Sequence, residues 1–184
     1  MYFYLSMSNL EKRIEILTKG ELRNVLKRLT AEILEKIDKP QNLILMGIPT
    51  RGVNLSEVIA LEISKKTGYE VEKGIIDPTL YRDDQSKVGT KSIKGDSIPS
   101  SLDDKDIILI DDVIYTGRTA RAAMEALNFW GRPKKIKLLT MIDRGHRELP
   151  IQPDFCGKQV LTNKNQNIEL RLKSLDKIEG VFLV

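Results

Sequence analysis

The sequence predicts an α/β fold in which a doubly wound, mostly parallel sheet is flanked by helices. Residues 42–48 and 107–110 are short and continuously apolar, as expected for strands whose two faces are both covered by helices. A helical segment follows each run, which is the alternation that parallel sheets require. With 184 residues and no internal repeat or linker, the chain is expected to form a single domain, residues 1–184.

The individual helices and strands follow from local patterns. Thr18 and Glu21 form a T-x-x-E capping box, and apolar residues then recur at helical spacing until Pro40. Gly68 is the expected end of a second helix. The polar stretch 83–106 shows no period and is predicted to be a mobile loop or else to contain a hairpin. The predicted helices cover residues 22–37, 55–66 and 119–130. The predicted strands cover residues 42–48, 69–82 with an interruption at Pro78, 107–110, 135–142 and 168–173, and a short apolar run follows at 180–184.

Composition excludes several classes of protein. Hydrophobic residues are 41% and charged residues 30%, which is typical of a globular chain and not of a disordered one. The net charge of +4 permits an anionic partner without requiring one. Cys156 and His146 are each the only residue of their type, so an internal disulfide and a Cys–His metal cluster are excluded. No apolar run approaches the ~18 residues of a membrane span, so we expect a cytoplasmic protein without membrane contact.

The most informative segment joins the strand at 107–110 to a helix. The strand runs into Asp111 and Asp112, and a T-G-R-T turn precedes the helix. Ligands of open parallel sheets bind at the carboxyl ends of strands. Gly117 lets the backbone approach a ligand and helix N-terminal amides bind phosphate, whereas carboxylates accept hydrogen bonds from neutral hydroxyls. The segment therefore predicts a cradle for ribose 5-phosphate; the alternative is a plain strand–turn–helix connection with a cap.

Several motifs together resemble one protein family. The segment IILIDDVIYTGRT (107–119) resembles the phosphoribosyl diphosphate (PRPP) signature of the type I phosphoribosyltransferases. LYRDD (80–84), DRGHRELP (143–150) and GK (157–158) resemble one branch closely, the bifunctional pyrimidine operon regulators and uracil phosphoribosyltransferases. The similarity runs from about Leu17 to the C-terminus, in the family's order.

The resemblance implies a fold, a reaction and partners. The fold would be the type I phosphoribosyltransferase fold with a small hood, formed by a C-terminal segment around residues 150–184. Uracil and PRPP would give UMP and diphosphate, with Mg²⁺ held mainly by PRPP oxygens and water. The family also binds the leader of pyrimidine-operon messenger RNA in response to UMP, and it forms dimers or larger homo-oligomers.

The resemblance assigns the PRPP contacts residue by residue. Asp111 and Asp112 would hold the ribose diol and stabilise positive charge at the sugar. Arg82 would reach the diphosphate, so these three are the expected catalytic residues. The other expected contacts are a diphosphate loop, made of Thr50, Arg51 and Gly52, and a 5′-phosphate turn, made of Val113, Ile114, Tyr115, Thr116, Gly117, Arg118 and Thr119.

By the same resemblance, the residues expected to contact the base and the metal lie in the second half of the chain. Arg144 matches a position in the base-binding region, and the neighbouring Asp143 would sit near the metal, in contact through water. Ile168 lies where the family has a hood strand whose backbone reads the edge of uracil. The alternative for Ile168 is a core position in an alternating strand.

Basic residues are the candidates for RNA contacts, because clusters of them can follow phosphates. They are Lys27, Arg28, Lys36 and Arg147. Regulatory family members often have a basic or histidine side chain one turn after the Lys-Arg pair, and Ala31 occupies that position here. Two other functions stay open: an RNA-binding regulator that uses the pocket only as a nucleotide sensor, and a phosphoribosyltransferase for a purine base or orotate.

Overall fold

A computed structural model of the protein describes residues 13–84 and 95–184. The helices are α1 (Lys19–Lys36), α2 (Arg51–Thr67) and α3 (Arg118–Trp130). The strands are β1 (Ile14–Leu17), β2 (Leu43–Gly47), β3 (Glu72–Ile75), β4 (Asp106–Ile114), β5 (Lys135–Asp143), β6 (Phe155–Gln159), β7 (Ile168–Arg171) and β8 (Gly180–Leu183). Five strands form a parallel sheet in the order β3-β2-β4-β5-β6, and three form a small antiparallel sheet in the order β1-β8-β7.

Helices cover both faces of the main sheet. Buried side chains of α1 and α2 pack with Ile108 and Ile110 of β4 on one face. On the other face, the alanine-rich side of α3, including Ala123, packs with Ile107 and Leu109. Successive residues of β4 thus enter two different cores, which explains why the strand is apolar on both faces. The predicted doubly wound, parallel α/β sheet is confirmed.

The small sheet joins segments from the two ends of the described chain. β8 is its central strand, with β1 on one side and β7 on the other. The segment 150–184, predicted as the hood, therefore divides: β7 and β8 lie in the small sheet, whereas β6 pairs with β5 at the edge of the main sheet. The sequence prediction lacks β1 and β6, because such short segments without clear alternation carry little local signal.

β4 is longer than the sequence predicts. It continues beyond the apolar run 107–110 to Ile114, so Asp111 and Asp112 lie inside the strand. Its parallel pairing with β5 extends to the Ile114–Asp143 pair. Hydrogen bonds to a neighbouring strand therefore continue the ladder through two residues that strands generally disfavour.

α2 begins at Arg51, earlier than the predicted residue 55. A Cβ atom on Gly52 would lie 2.2 Å from the carbonyl oxygen of Ile110. Glycine therefore allows the first turn of α2 to sit directly against β4, where the P-T-R-G sequence alone suggests an irregular turn. This close contact brings the start of α2 to the carboxyl end of β4.

The predicted cap of α1 and the predicted stop of α2 agree with the structure, although α1 begins at Lys19, before the predicted residue 22. The Thr18 hydroxyl accepts a hydrogen bond from the Glu21 amide (3.3 Å), and the Glu21 carboxylate accepts one from the Thr18 amide (2.8 Å), which confirms the capping box. Gly68 closes α2 with φ of +71°, in the left-handed region that favours glycine.

The polar stretch before β4 is described in part. Residues 85–94, within the predicted mobile loop 83–106, lie outside the described residues. Beyond them, Ser97 forms an antiparallel bridge with Ile75, and the indole of Trp130 donates a hydrogen bond to Asp96 (2.7 Å). These contacts fasten the end of the stretch to β3 and α3.

Candidate active site

Two adjoining cavities lie at the carboxyl ends of the central strands. The turn cavity, of about 440 Å³, is lined by residues 82–84, 111, 113–120 and 148. The loop cavity, of about 430 Å³, is lined by residues 48–51, 77–79, 82, 111–113 and 119. Their shared wall consists of Arg82, Asp111, Val113 and Thr119. The structure thus brings most of the residues predicted to contact PRPP to one edge of the sheet.

The turn cavity is built on the N-terminus of α3. Gly117 is the N-cap residue and has φ of +91°, which favours glycine. The Thr116 hydroxyl accepts a hydrogen bond from the Arg118 amide (3.3 Å), and the Thr116 carbonyl accepts from the amides of Glu148 and Leu149 (3.0 and 3.2 Å). A turn held in this way presents helix N-terminal amides to the cavity, an arrangement that binds phosphate.

The two aspartates of β4 line different walls. Successive side chains of a strand point to opposite sides. Accordingly, Asp111 lines both cavities, whereas Asp112 lines only the loop cavity. Asp111 is buried and accepts a hydrogen bond from the Asp112 amide, and the half-buried Asp112 accepts one from the Val113 amide (both 2.9 Å). Two separated carboxylates can therefore accept hydrogen bonds from different hydroxyls of one sugar.

The loop cavity is built on the start of α2. Thr50 and Arg51 line it, and Gly52 holds this turn against β4. The peptide bond between Pro49 and Thr50 is cis. Nη2 of Arg51 lies 3.5 Å from the carboxylate of Asp176, which belongs to the connection between β7 and β8. This ion pair links the start of α2 to the small sheet.

Arg82 lies in the wall between the cavities. Its Nη1 donates a hydrogen bond to the Thr119 hydroxyl (2.7 Å), and its Nε and Nη2 donate to the Asp84 carboxylate (2.8 Å each). These bonds from Arg82 lower the pKa of Asp84 below its ordinary value. Asp83 instead pairs with Nη1 of Arg118 at 2.6 Å. The predicted catalytic arginine is therefore fixed beside both cavities.

Arg144 is buried at the end of β5, with 5% of its surface exposed. Its guanidinium donates four hydrogen bonds to oxygens of residues 162–167. The guanidinium carbon also lies 4.2 Å from the centroid of the Tyr115 ring. Arg144 lines neither cavity, so its contacts are those of a support that holds residues 162–167 against the end of β5.

Asp143, predicted to lie near the metal, faces an arginine. Its Oδ2 lies 2.7 Å from Nη2 of Arg147, and its Oδ1 accepts a hydrogen bond from the Gly145 amide (2.9 Å). Arg147 also donates to the Tyr115 carbonyl (2.8 Å). Within residues 13–84 and 95–184, no group of three or more His, Cys, Asp or Glu residues is placed to hold a metal ion. A metal ion here would take most of its ligands from substrate and water.

The predicted RNA contacts divide between α1 and the carboxyl edge of the main sheet. Lys27 lines a groove between α1 and α2. Arg28 donates hydrogen bonds to two carbonyls of β6 (2.6 and 3.1 Å), and the Lys36 ammonium lies over an aromatic ring of β6 (4.8 Å). Arg147 lies instead at the carboxyl edge of the main sheet, beside Asp143. Three of the candidates therefore lie on α1 and the fourth lies at the carboxyl edge of the main sheet, and their contact with RNA stays a prediction.

Ile168 is the first residue of β7 and pairs with Leu183 of β8. It is half-buried and packs against the core formed with α1 and α2. It lines neither cavity. These contacts are those of a strand residue at the edge of the core, and a role of its backbone in reading uracil stays a prediction.

The structure adds side chains to the cavity walls that the sequence prediction lacks. Asp77 accepts a hydrogen bond from the Thr79 amide (3.0 Å), and both line the loop cavity. Glu148 accepts from Nε of Arg118 (2.8 Å), which raises the pKa of Arg118. Glu148 lies within the DRGHRELP motif and Asp84 within LYRDD, so the motifs were a signal for these two. Asp77 and Thr79 have no comparable local signal.

Comparison with known proteins first defines the class. The family model described as phosphoribosyl transferase domain matches residues 14–175. Hypoxanthine phosphoribosyltransferase from Trypanosoma cruzi superposes with a TM-score of 0.72 at 16% identity, covering 92% of this chain and 94% of that one. A hypoxanthine-guanine phosphoribosyltransferase from Bacillus anthracis superposes with a TM-score of 0.64 at 17% identity, covering 83% and 85%. The fold is that of the type I phosphoribosyltransferases.

Closer relatives define the branch. A protein named bifunctional protein PyrR from Microcystis aeruginosa is 46% identical over 171 residues, 93% of this chain and 97% of the relative. The protein of the same name from Latilactobacillus sakei is 44% identical over 172 residues, 92% of this chain and 96% of the relative. The chain therefore belongs to the bifunctional PyrR family, which confirms the family that the sequence motifs predict.

Proposed function

We infer that this protein is a uracil phosphoribosyltransferase that makes UMP and diphosphate from uracil and PRPP, and that it also regulates pyrimidine genes by binding RNA. Membership of the bifunctional family supports both activities. The observation that carries the catalytic part is the shared wall of Arg82, Asp111 and Thr119 between two cavities. A ligand with phosphate groups at both ends of a ribose matches two such cavities.

The residues present divide the contacts of PRPP between the cavities. The amides of the turn at residues 115–119 suit the 5′-phosphate. Thr50, Arg51 and Arg82 offer donors to the diphosphate in the loop cavity. Asp111, on the shared wall, and Asp112, beside it, offer acceptors to the ribose hydroxyls.

The transfer breaks the bond between the anomeric carbon and a diphosphate oxygen and forms a bond from that carbon to N1 of uracil. The bonding electron pair leaves with the diphosphate, and the proton of N1 passes to solvent water. Positive charge develops at the sugar, where the carboxylates of Asp111 and Asp112 stabilise it electrostatically. The protein must also hold the base and the sugar in the geometry that the attack requires.

Mg²⁺ that arrives with PRPP fits the donors of the site. The ion prefers oxygen ligands and keeps several waters, so it needs few protein ligands. Asp77, Asp111 and Asp112 supply carboxylate oxygens at the loop cavity. When bound, the ion neutralises charge on the diphosphate. Because Arg147 occupies one oxygen of Asp143, we assign Asp143 only an indirect contact through water.

One assay tests the catalytic assignment. The protein is incubated with PRPP, Mg²⁺ and either uracil, hypoxanthine or orotate, and diphosphate release is followed, with a reaction lacking base as the control for PRPP hydrolysis. We expect release with uracil. Release with hypoxanthine or orotate alone would contradict the uracil assignment, and no base-dependent release would favour the nucleotide-sensor function.

A binding experiment tests the regulatory assignment. Filter binding compares a pyrimidine-operon leader RNA with a scrambled RNA of equal composition, with and without UMP. We expect UMP to tighten binding of the leader RNA only, and we expect the affinity to fall as salt rises. If UMP leaves the affinity unchanged at moderate salt, the regulatory assignment is wrong.

We also infer location and assembly, for which family membership is the support. In the part of the chain that the structure describes, no helix is long and apolar enough to cross a membrane. Family membership supports a cytoplasmic protein that forms a homo-oligomer of two or more subunits. Light scattering of the purified protein measures the second property, and a monomer at micromolar concentration would contradict it.

A further inference from the structure

Asp84 binds the side edge of the Arg82 guanidinium. Nε of Arg82 donates to Oδ1 and Nη2 donates to Oδ2, each at 2.8 Å, which is a bidentate pair. The side chains of Arg82 and Asp84 are 14% and 17% exposed, so water competes weakly for both charges. The pair is therefore more strongly held than an exposed ion pair.

The same pair leaves the other edge of Arg82 available. Nη1 donates to the Thr119 hydroxyl (2.7 Å), and each terminal nitrogen still carries a further hydrogen. Arg82 and Thr119 both belong to the shared wall of the two cavities. A long, flexible arginine loses much rotational freedom when it is held at one orientation, and here Asp84 and Thr119 fix that orientation before substrate binds.

We propose that Asp84 is a positioning residue that holds Arg82 so that its remaining N–H groups meet the diphosphate of PRPP. This inference rests on the proposed phosphoribosyltransferase function. Asp84 acts through Arg82 and is not assigned a substrate contact. Its neighbour Asp83 has a different role, because its side chain is 47% exposed and pairs with Arg118 and Arg121.

The proposal predicts selective loss of affinity. UMP carries the 5′-phosphate and ribose but no diphosphate, so loss of a group that orients Arg82 for the diphosphate should weaken binding of PRPP much more than binding of UMP, although Arg82 also bonds Thr119 of the 5′-phosphate turn. A merely structural role of Asp84 would affect both ligands, since both use the turn cavity. A carboxylate that only competes with phosphate for Arg82 would have the opposite effect, because its removal would tighten binding of PRPP.

The test compares Asp84→Asn, Asp84→Glu and a control, Glu125→Gln. Glu125 pairs with Arg121 on α3 and lines neither cavity, so its variant removes one carboxylate charge from an arginine pair outside the site. Calorimetry gives the Kd values for PRPP and UMP, and initial rates give KM for PRPP and kcat. All proteins are first compared by circular dichroism and thermal unfolding.

We expect Asp84→Asn to raise the Kd and KM for PRPP about tenfold or more, the size of a lost charge-assisted hydrogen bond, with UMP affinity within about twofold of wild type. Asp84→Glu should restore part of the PRPP affinity, and Glu125→Gln should match wild type. Equal loss for both ligands, unchanged PRPP affinity or tighter PRPP binding by Asp84→Asn would each overturn the proposal.

The same measurements distinguish a failure of the proposed function from a failure of this inference. If the wild-type protein binds PRPP but does not use uracil, the uracil assignment is wrong and the ratio of PRPP to UMP affinities still decides the role of Asp84. If the wild-type protein binds no PRPP, both the proposed function and the role of Asp84 are overturned.

Discussion

β4 and β5 are neighbours in the main sheet, yet their carboxyl ends are used differently. β4 passes through Asp111 and Asp112 into the N-terminus of α3, and its polar groups line the two cavities. β5 ends at Asp143 and leads into an irregular segment, where Asp143 pairs with Arg147 and Arg144 binds neighbouring backbone. The charged side chains at the end of β4 thus line cavities, whereas those at the end of β5 pair with neighbouring groups of the protein.

The end of β5 supports the end of β4. Arg147 donates a hydrogen bond to the Tyr115 carbonyl, and Arg144 lies over the Tyr115 ring. The amides of Glu148 and Leu149 donate to the next carbonyl along the turn. The two motifs therefore form one unit, in which the second fixes the shape of the turn that we propose contacts the ligand. Loss of a β4 aspartate should therefore reduce turnover, and loss of a β5 charge should reduce stability.

The largest effect is expected for Asp112→Asn. The substitution keeps the shape of the side chain and removes the charge, so kcat with PRPP and uracil should fall about 100-fold or more while the melting temperature stays close to wild type. Asp38→Asn, an exposed aspartate in the connection between α1 and β2, is the matched control and should have wild-type kcat. If Asp112→Asn unfolds the protein while the native fraction keeps its kcat, Asp112 is a structural cap, and the contrast between the two strand ends is lost.

The part of the fold that the sequence predicts depends on strong local patterns. The apolar run before Asp111, the turn at Gly117 and the capping box of α1 all have local signals, and the structure has each of them. The start of α2 at Arg51 could not be predicted, because it depends on the close approach of Gly52 to a distant strand. β6 depends in the same way on pairing with β5.

The candidate site shows the same limit. Residues 111–119 could be predicted because one continuous segment supplies a strand, a glycine turn and a helix start. The pairing of Asp143 with Arg147 could not, because a sequence does not show whether two nearby charges face a ligand or each other. The pairing of Asp84 with Arg82 could not be predicted either, although both residues lie in the LYRDD motif.

Arg144→Met tests whether the buried charge at the end of β5 stabilises the folded protein. Removing the buried guanidinium leaves several oxygens of residues 162–167 without their donors, so the free energy of unfolding should fall by about 3 kcal/mol. Denaturant unfolding measures it, and Arg132→Met, at an exposed arginine, should change little. If stability is unchanged while the KM for uracil rises, Arg144 contacts the base directly, as the sequence motif first indicates.

A double-mutant cycle of Asp143→Asn and Arg147→Met sharpens the same comparison. Each single variant leaves one partner of a mostly buried pair uncompensated, so the double variant should lose less stability than the sum of the two. We expect a coupling energy of roughly 1–2 kcal/mol from denaturant unfolding. Additive effects would show that Arg147 does not stabilise Asp143, and the carboxylate of Asp143 would then be available to a metal ion.

The smallest effect concerns the pH dependence of Asp84. Its pKa in the folded protein is held below the ordinary value of 3.8, mainly by the hydrogen bonds from Arg82, so the unfolded chain takes up a proton at higher pH than the folded one. The stability that the charge contributes is therefore complete at pH values above 3.8 and is lost as the pH falls through the lowered folded value. The stability difference between wild type and Asp84→Asn, about 1 kcal/mol at neutral pH, should shrink over that range.

Asp38→Asn is the control for this titration, and its difference from wild type should not follow the same curve. A difference for Asp84→Asn that stays constant down to acid pH would show that the carboxylate charge contributes no stability. A loss of PRPP affinity in Asp84→Asn that exceeds the loss of about 1 kcal/mol in stability would separate the Asp84–Arg82 pair from the Asp143–Arg147 pair. Ion pairs beside the β4 cavities would then hold catalytic groups in position, whereas the pair at the end of β5 holds the fold.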